Sequence, residues 1–165
     1  MSSVRSSKKS PAAPAPADTA APASEPVDTG FLRTLVGYNT RRAALSIIAV
    51  FMERMAVYDL KVVDFSVLSL VAHNPGITSR QLCATLSVLP PNMVGLIAAL
   101  ERRGLIERRP HPSDGRAMGV HLTPAGVELT AQAEQTAAQL EEDATHRLTA
   151  AERKTLIRLM QKVYD

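Results

Sequence analysis

Residues 86–109, LSVLPPNMVGLIAALERRGLIERR, contain the change of pattern that decides the fold. In the first half, the apolar residues recur at steps of three and four, which is the spacing of one buried helix face. These residues are Met93, Leu96, Ile97 and Leu100. Gly104 is suited to the C′ position that ends a helix, and the LIERR after it has the composition of a β-strand. The stretch therefore predicts a helix that is followed at once by a strand.

The two prolines indicate where this helix begins. Leu89 and Pro90 each precede a proline, and a residue in that position is disfavoured in the helical conformation. Pro91 has its φ angle already set to the helical value. Its missing N–H costs nothing at the first helical position, because an N–H there would have no partner within the helix. We therefore expect the helix over residues 91–103.

The residues after the strand complete a hairpin. PHPSDG, residues 110–115, has turn composition, and RAMGVHL, residues 116–122, has that of a second short strand. Thr123 is suited to cap a further helix, with Pro124 at its first position. The last helix is expected to open with a capping box at TAAE, residues 149–152.

Upstream, the pattern predicts three helices. One is expected over residues 31–55, with a short break at AVYDLKV, residues 56–62. The second lies within residues 63–76 and stops at Asn-Pro-Gly. Its inward-facing residues are expected to be Phe65, Leu68, Val71 and Ala72. The third starts at Thr78, three residues before a Gln, which is the spacing of a capping box.

This order of elements predicts a mainly α protein with a small β-hairpin. A helix-turn-helix followed by a two-stranded hairpin is the winged-helix arrangement, and we expect it to span residues 61–122. The outer helices, within residues 30–60 and 123–165, are too apolar and too peripheral to serve one small core. We expect them to pair with the same helices of a second chain.

Residues 1–29 differ in composition from the rest. They are rich in Pro and Ala with few large apolar side chains, which predicts a disordered tail ahead of a single domain over residues 30–165. No stretch reads as a signal peptide, and none approaches the roughly 18 apolar residues of a membrane span. A single cysteine, Cys83, suits a reducing compartment. These features lead us to expect a cytoplasmic protein with no membrane partner.

The residues that most often carry chemistry form no catalytic or metal-binding pattern. The four histidines have no His or Cys neighbour at metal-ligand spacing, and neither a nucleophile motif nor a phosphate loop occurs. We therefore expect no enzyme activity, no metal and no cofactor. The charge is uneven, because residues 79–122 carry six Arg against three acidic residues, while residues 123–165 have more acidic than basic side chains. This asymmetry is expected if only the middle of the chain meets phosphates.

Three stretches together resemble the MarR family of bacterial transcriptional regulators. They are FSVLSLVAHNPGITSRQL (65–82), ALERRGLIERR (99–109) and HPSDGRAMGVHLTPAG (111–126). The wing signature of the family is Asp-x-Arg followed, after about five residues, by Leu-Thr-x-x-Gly. Its counterparts here are Asp114, Arg116, Leu122, Thr123 and Gly126. The resemblance covers residues 31–165 and implies a homodimeric repressor whose winged lobes bind a pseudo-palindromic operator of double-stranded DNA.

The residues and the resemblance together give a set of candidate DNA-binding positions. They are Arg80, Pro91, Asn92, Val94, Gly95, Arg102, Arg103, Arg109, His111, Asp114 and Arg116, with Arg108 beside them. The flanking cations are expected to hold phosphates without reading sequence, although any one of them is equally interpretable as a solvated arginine. In relatives the wing arginine commonly pairs with the signature aspartate, so Arg116 is expected to position the hairpin, to contact DNA, or both. Gly115 stands where relatives often have a basic wing tip.

The predicted recognition helix departs from the family pattern. Relatives usually have Ser or Thr around positions 90–92 and a basic residue near 95 or 99, and this chain has neither. Asn92 alone offers a side chain suited to a base edge, with adenine as its usual partner. Pro91 and Val94 are suited to thymine methyl groups, and Gly95 favours a close approach of the backbone. The alternative is that this face is merely small and exposed.

The resemblance also implies a small effector, and the likeness is to the members that govern catabolism of aromatic acids. Arg42 interrupts an apolar stripe, and a guanidinium binds a carboxylate through two hydrogen bonds. The candidate effector-binding residues are Tyr38, Arg41, Arg42, Phe51, Met55, Tyr58 and Asp59. The alternative for Arg42 is a structural ion pair across the dimer, for instance with Glu141 or Glu142.

Two other functions remain open from the sequence. The nearly uncharged face of residues 91–99 would also suit a winged-helix module that docks a protein. A redox-responsive regulator acting through Cys83 is the other alternative, and a buried structural thiol is the plainer interpretation of that cysteine.

Overall fold

The structure, a computed structural model, describes residues 27–111 and 114–164, without the side chains of His111 and of residues 114–117. Except for residues 27–29, the predicted tail lies outside the described residues. The helices are α1 (Gly30–Arg33), α2 (Val36–Met55), α3 (Val62–His73), α4 (Ser79–Leu86), α5 (Pro90–Arg102), α6 (Pro124–Ala144) and α7 (Ala150–Tyr164). The strands are β1 (Ile77–Thr78), β2 (Ile106–His111) and β3 (Asp114–Leu122), and a 3-10 turn, Ala56–Tyr58, follows α2.

The predicted class, mainly α with a small hairpin, is confirmed. β2 and β3 form the predicted antiparallel hairpin, with Ile106 opposite Leu122. The structure adds β1, which pairs with β3 and gives the three-stranded order β1-β3-β2. At this edge Gly119 lies so close to Gly76 that an added Cβ would be 2.8 Å from the carbonyl oxygen of Gly76.

The first predicted helix is interrupted, which corrects the expectation of one helix over residues 31–55. Leu35 is extended, with φ −91° and ψ 128°, and separates α1 from α2. Side chains satisfy the backbone at the break, because Asn39 Nδ2 donates to the carbonyl oxygens of Arg33 and Leu35, both at 2.8 Å. Such side-chain bonds compete with the helical ladder and let the chain turn here.

The boundaries of α5 follow the predicted logic with a shift of one residue. Leu89 is extended and serves as the N-cap, and Pro90 rather than Pro91 is the first helical residue. Either proline suits the first turn, because neither has an N–H that would need an acceptor there. Gly104 has φ +69°, its N–H donates to the carbonyl oxygen of Glu101, and the N–H of Leu105 donates to that of Leu100. This is the Schellman arrangement that a C′ glycine predicts.

The predicted helix caps are also present. Thr78 Oγ1 accepts from the N–H of Gln81, and Thr123 Oγ1 accepts from the N–H of Gly126. At the start of α7, the backbone and hydroxyl of Thr149 donate to Glu152, and these hydrogen bonds lower the pKa of that carboxyl.

One hydrophobic core joins the helix-turn-helix to the long helices. Its buried apolar residues include Met55, Leu68, Leu82, Met93, Ile97, Leu100, Ile106, Val120 and Leu140. α6 packs along both α2 and α3, so the lobe and the outer helices are continuous. Among the described residues, no single helix is long and apolar enough to cross a membrane, and α4 with α5, bent by 115°, meets the length and composition only as a pair.

Candidate nucleic-acid interface

α4 and α5 meet in helix-turn-helix geometry. Their axes differ by 115°, within the range typical of the motif, and three residues, Ser87–Leu89, connect them. Ser87 is left-handed at φ 51°, a conformation that a turn of this kind often assigns to glycine. α5 is therefore placed as the recognition helix of the motif.

The two faces of α5 are sharply different. Met93, Ile97 and Leu100 are fully buried, and Leu96 packs against the same core. The opposite face is exposed and almost entirely apolar. Its members are Leu89, Pro90, Pro91, Asn92, Val94 and Gly95, with Ala98 and Ala99 half-buried beside them. The side chain of Asn92 is the one amide on this face.

The side chains on the exposed face of α5 are short as well as apolar. Val94 is 58% exposed and Leu89 is 69% exposed. A Cβ added to Gly95 would meet no heavy atom within 4 Å, so this position is open to an approaching surface. Nothing in the packing of α5 requires glycine there.

Four of the predicted cations fall into two groups. Arg80, in the first turn of α4, and Arg102, at the end of α5, are exposed and form no ion pair with another described side chain. Arg108 pairs with Glu101 at 2.9 Å, and Arg109 pairs with Glu107. The positive charge of the two strand arginines is therefore largely compensated within the chain.

Arg103 has a different environment from its neighbour Arg102. Its Nη1 donates to the carbonyl oxygen of Asp59 at 2.7 Å, and its Nη2 donates to that of Tyr58 at 2.8 Å. The Asp59 carboxylate lies 3.9 Å away. Arg103 thus fixes the end of α5 to the linker between α2 and α3, and both outer nitrogens of its guanidinium are occupied.

Acidic side chains are missing from a long stretch around the motif. The sequence has no Asp or Glu between Asp64 and Glu101, a span that contains all of α4 and most of α5. A phosphate backbone that approaches this face would meet no like charge from α4, nor from α5 before Glu101, whose carboxylate is paired with Arg108.

Some of the predicted wing residues have side chains that the structure does not describe. The side chains of His111, Asp114 and Arg116 lie outside the described residues. The hairpin backbone is paired, with Arg109 opposite Gly119 and an irregular register at Pro110 and His111.

The candidate effector residues are not gathered into one cavity in the single chain. Phe51 and Met55 are buried in the core, where Phe51 packs edge-on against Phe65 with ring centroids 5.6 Å apart. Tyr58 Oη lies 2.9 Å from Thr136 Oγ1, which links the linker to α6. Arg41 and Arg42 are exposed on α2, at least nine residues and about 13 Å along the helix from the buried Phe51.

Two recesses occur elsewhere on the described surface. One of about 470 Å³ runs along α7 beside Lys154, Ile157 and Arg158, and one of about 300 Å³ lies beside Asn74–Gln81. Neither contains a candidate effector residue. Cys83, the other alternative site, is half-buried and packs against the core.

Sequence reasoning missed the partners of the arginines. Glu107 and Arg109 lie two apart on one strand, and therefore on one face, which is a signal that alternation of side chains could have revealed. The Glu101–Arg108 pair and the carbonyl partners of Arg103 depend on how separate elements pack, so spacing alone gives no sign of them.

The chain is similar to a known protein family and to several proteins of known sequence or structure. A model described as the MarR family matches residues 58–117. A putative transcriptional regulatory protein for the hcr operon of Thauera aromatica is 36% identical over 100 residues, which is 61% of this chain and 60% of that relative. The chain therefore spans about three fifths of the length of this curated relative.

Two solved structures match most of the chain. The transcriptional repressor CouR, bound to a 23-mer DNA duplex, is 33% identical with a TM-score of 0.79, and the match covers 85% of this chain and 99% of that one. BpsR of Bordetella bronchiseptica, whose DNA binding is regulated by 6-hydroxynicotinic acid, is 26% identical with a TM-score of 0.73. That match covers 79% of this chain and 94% of BpsR.

Proposed function

This chain belongs to the MarR family of transcriptional regulators, and on that premise we propose that it is a dimeric repressor of a pseudo-palindromic DNA operator. We further propose that a small aromatic acid releases it from that operator. The observation that carries the first proposal is the match to CouR, a repressor solved on DNA, over nearly the whole of that chain. The exposed α5 of the helix-turn-helix supports it independently.

The dimer is proposed from the outer helices. α7 buries none of its side chains in the single chain, although Leu156, Leu159, Met160 and Val163 form an apolar stripe. A 15-residue helix with no packing is marginal in water. Residues 30–60 and 123–165 would supply the dimer helices, and residues 61–122 the winged lobe.

We propose that residues at different positions of the motif contact different parts of the DNA. Arg80 and Arg102 would bind phosphates, because they are exposed cations at the two ends of the motif. Pro91, Asn92, Val94 and Gly95 would face the bases. Arg109, His111, Asp114 and Arg116 would act from the wing. Arg103 would position α5 rather than touch DNA, since its guanidinium is bound to two carbonyl oxygens.

The effector proposal rests on the BpsR relative and on two exposed cations. 6-Hydroxynicotinic acid, which regulates BpsR, is a small aromatic carboxylic acid. Arg41 and Arg42 are exposed on α2 and form no ion pair with a described residue, so they are available to a carboxylate. Tyr58 and Asp59 lie in the linker that Arg103 holds, and an effector there would act on the position of α5.

The DNA proposal is tested by selection. The full chain is offered duplexes with about 30 randomised base pairs, which is long enough for two half-sites about 10 bp apart. We expect an enriched palindrome that binds with a Kd of about 10 nM or lower at physiological salt, with an affinity that falls steeply as salt rises. Failure to enrich any sequence over bulk DNA would show that the chain is not a sequence-specific repressor.

A charge reversal separates DNA binding from docking of a protein. Arg102→Glu is expected to abolish binding of the selected duplex, whereas Arg147→Glu is expected to retain it. Arg147 follows α6, whose 21 residues place it about 30 Å from the Thr123 cap beside α5. Equal loss in both variants would remove the assignment of α5 as the DNA-facing helix.

The effector is sought by adding aromatic carboxylic acids to the complex with the selected duplex. We expect release by at least one acid, with the effect weakened in an Arg41→Gln, Arg42→Gln double variant. Release by peroxide that is lost in Cys83→Ser would instead support redox control, which is the competing mechanism.

A further inference from the structure

We propose that α5 recognises its half-site mainly through the C5-methyl groups of thymines, so that the operator presents A·T pairs, rather than guanines, to this helix. The inference rests on the proposed function, because it assumes that α5 enters the major groove of operator DNA. It names what the helix selects there and which side chains select it.

The exposed face of α5 provides apolar contacts where a recognition helix normally provides polar ones. Val94 and Leu89 are more than half exposed, and Pro90 and Pro91 are exposed between them. Pro91, Val94 and Ala98 lie at i, i+3 and i+7, so they form one strip along the helix. Solvent-exposed apolar side chains at consecutive turns favour an apolar partner.

Thymine is the base that offers such a partner. In the major groove, the T methyl is the one apolar group that a standard base presents, whereas guanine is bound chiefly by Arg or Lys at its O6 and N7. α5 carries neither Arg nor Lys before Arg102 in its last turn. Asn92 is suited to the adenine N6 and N7 of a neighbouring A·T pair.

The charges around the helix favour DNA over a protein as the occupant of this face. Arg80 and Arg102 are exposed cations at opposite ends of the motif, and no acidic residue occurs between Asp64 and Glu101. An apolar strip in a motif whose two ends carry exposed cations matches a groove floor that bears methyl groups between two phosphate backbones.

Gly95 provides the close approach that short side chains need. Proline and valine reach less far than arginine or asparagine, so the helix backbone must lie nearer to the bases for their methyl contacts to form. A Cβ at Gly95 would point into space that holds no protein atom within 4 Å. The absence of that Cβ leaves room for the groove.

The test replaces thymine with deoxyuridine in the duplex that the chain itself selects. This change removes the methyl group and keeps every hydrogen-bonding group of the base pair. Each symmetric T position is replaced in turn, and the Kd is measured by fluorescence anisotropy with the full chain. We expect a loss of about threefold to fourfold for each contacted methyl, which corresponds to burial of one CH₂-sized group.

The contribution of Val94 is isolated with a paired variant. Val94→Ala is expected to bind the thymine and deoxyuridine duplexes with nearly equal Kd at one symmetric position, while the other positions keep their ratio. Val127→Ala is the matched control, because Val127 is 55% exposed on α6 and is expected to keep the wild-type ratio at every position.

The outcomes distinguish a failure of methyl recognition from a failure of the proposed repressor function. Equal affinity of the wild type for the thymine and fully deoxyuridine-substituted duplexes would overturn methyl recognition and leave the repressor proposal standing. Enrichment of half-sites with guanines opposite α5 would do the same. If the selection yields no preferred sequence, the repressor proposal fails and the inference fails with it.

Discussion

Thr123 joins three segments through its backbone and side chain. Its N–H donates to the carbonyl oxygen of Leu105 at 3.1 Å, its Oγ1 donates to that of Gly104 at 2.6 Å, and it also accepts from the N–H of Gly126. The first turn of α6 is therefore pressed against the end of α5. A Cβ on Gly126 would lie 1.9 Å from the carbonyl oxygen of Leu105, so this approach requires glycine.

Replacement of Gly126 by Ala is expected to destabilise the fold by about 3 kcal/mol or more, because the clash is with backbone and cannot be relieved by a rotamer change. The measurement is the midpoint of chemical denaturation followed by circular dichroism. A loss below about 1 kcal/mol would mean that α6 can move away from Leu105 without losing its cap.

Replacement of Gly95 by Ala is the same chemical change with the opposite expected effect on stability. The site is open and lies inside a helix, where Ala is favoured over Gly by about 1 kcal/mol, so the free energy of unfolding should rise. Affinity for the selected duplex should fall by about tenfold, or ~1.4 kcal/mol, because the new methyl group holds the helix away from the groove. Unchanged affinity would show that the backbone does not approach DNA at this residue.

The end of α5 shows how neighbouring arginines serve different elements. Arg102 is exposed at the last helical position, whereas Arg103 turns toward the α2–α3 linker and donates to two carbonyl oxygens there. Tyr58 of that linker is in turn bound to Thr136 of α6. The recognition helix is thus connected to the long helices through side chains as well as through the core.

Alanine substitutions at these two arginines are expected to give opposite results. Arg102→Ala should change stability by less than about 0.5 kcal/mol, weaken binding to all DNA sequences, and reduce the slope of log Kd against log salt by about two, since the dimer loses one phosphate contact in each subunit. Arg103→Ala should lower stability by about 1–2 kcal/mol, since charged hydrogen bonds to two carbonyls are lost, with the salt slope unchanged. Thermal unfolding and anisotropy at several salt concentrations measure both effects. A reduced salt slope for Arg103→Ala would return it to the phosphate-binding group.

The elements that the sequence predicted are those with local signals. The hairpin follows from the change of period after Gly104, and the caps follow from Thr78, Thr123 and Thr149. β1 was missed because two residues cannot show alternation, and their strand conformation comes from pairing with β3. The break at Leu35 was missed because the apolar period continues across it, while the side chain of Asn39 provides the alternative hydrogen bonds.

In the candidate interface, too, the features with local signals in the sequence were predicted and the others were not. The faces of α5 follow from its period, and the structure shows Met93, Ile97 and Leu100 buried as that period requires. The state of each arginine was not predictable, because an ion pair such as Glu101–Arg108 depends on where β2 leaves the helix. Contacts between elements distant in sequence are set by packing, which periodicity does not describe.

At the scale of the whole molecule, the outer helices of the single chain leave apolar residues exposed. α7 has no buried side chain, and α1 and α2 expose Phe31, Val36 and Leu45. Exposed apolar residues on several helices are typical of a protein that buries them in an interface with another chain. Two lobes held at a fixed separation are also what a palindromic operator requires, because half-sites lie about one helical turn apart.

A charge substitution on α7 tests where the dimer interface lies. Leu159→Asp should convert the dimer to a monomer, because a symmetric interface would bury the new carboxylate twice without a partner, at a cost of about 3 kcal/mol or more. Val62→Asp is the matched control: Val62 is 38% exposed and Leu159 is 49% exposed in the single chain, and Val62 lies in the winged lobe, outside the residues proposed for the dimer. Light scattering at micromolar protein should give the mass of a monomer for Leu159→Asp and of a dimer for Val62→Asp and the wild type. Affinity for the selected duplex should fall at least a hundredfold in the monomer, since one lobe contacts one half-site and loses the effective concentration of the second. A dimeric Leu159→Asp variant would place the interface elsewhere than on α7.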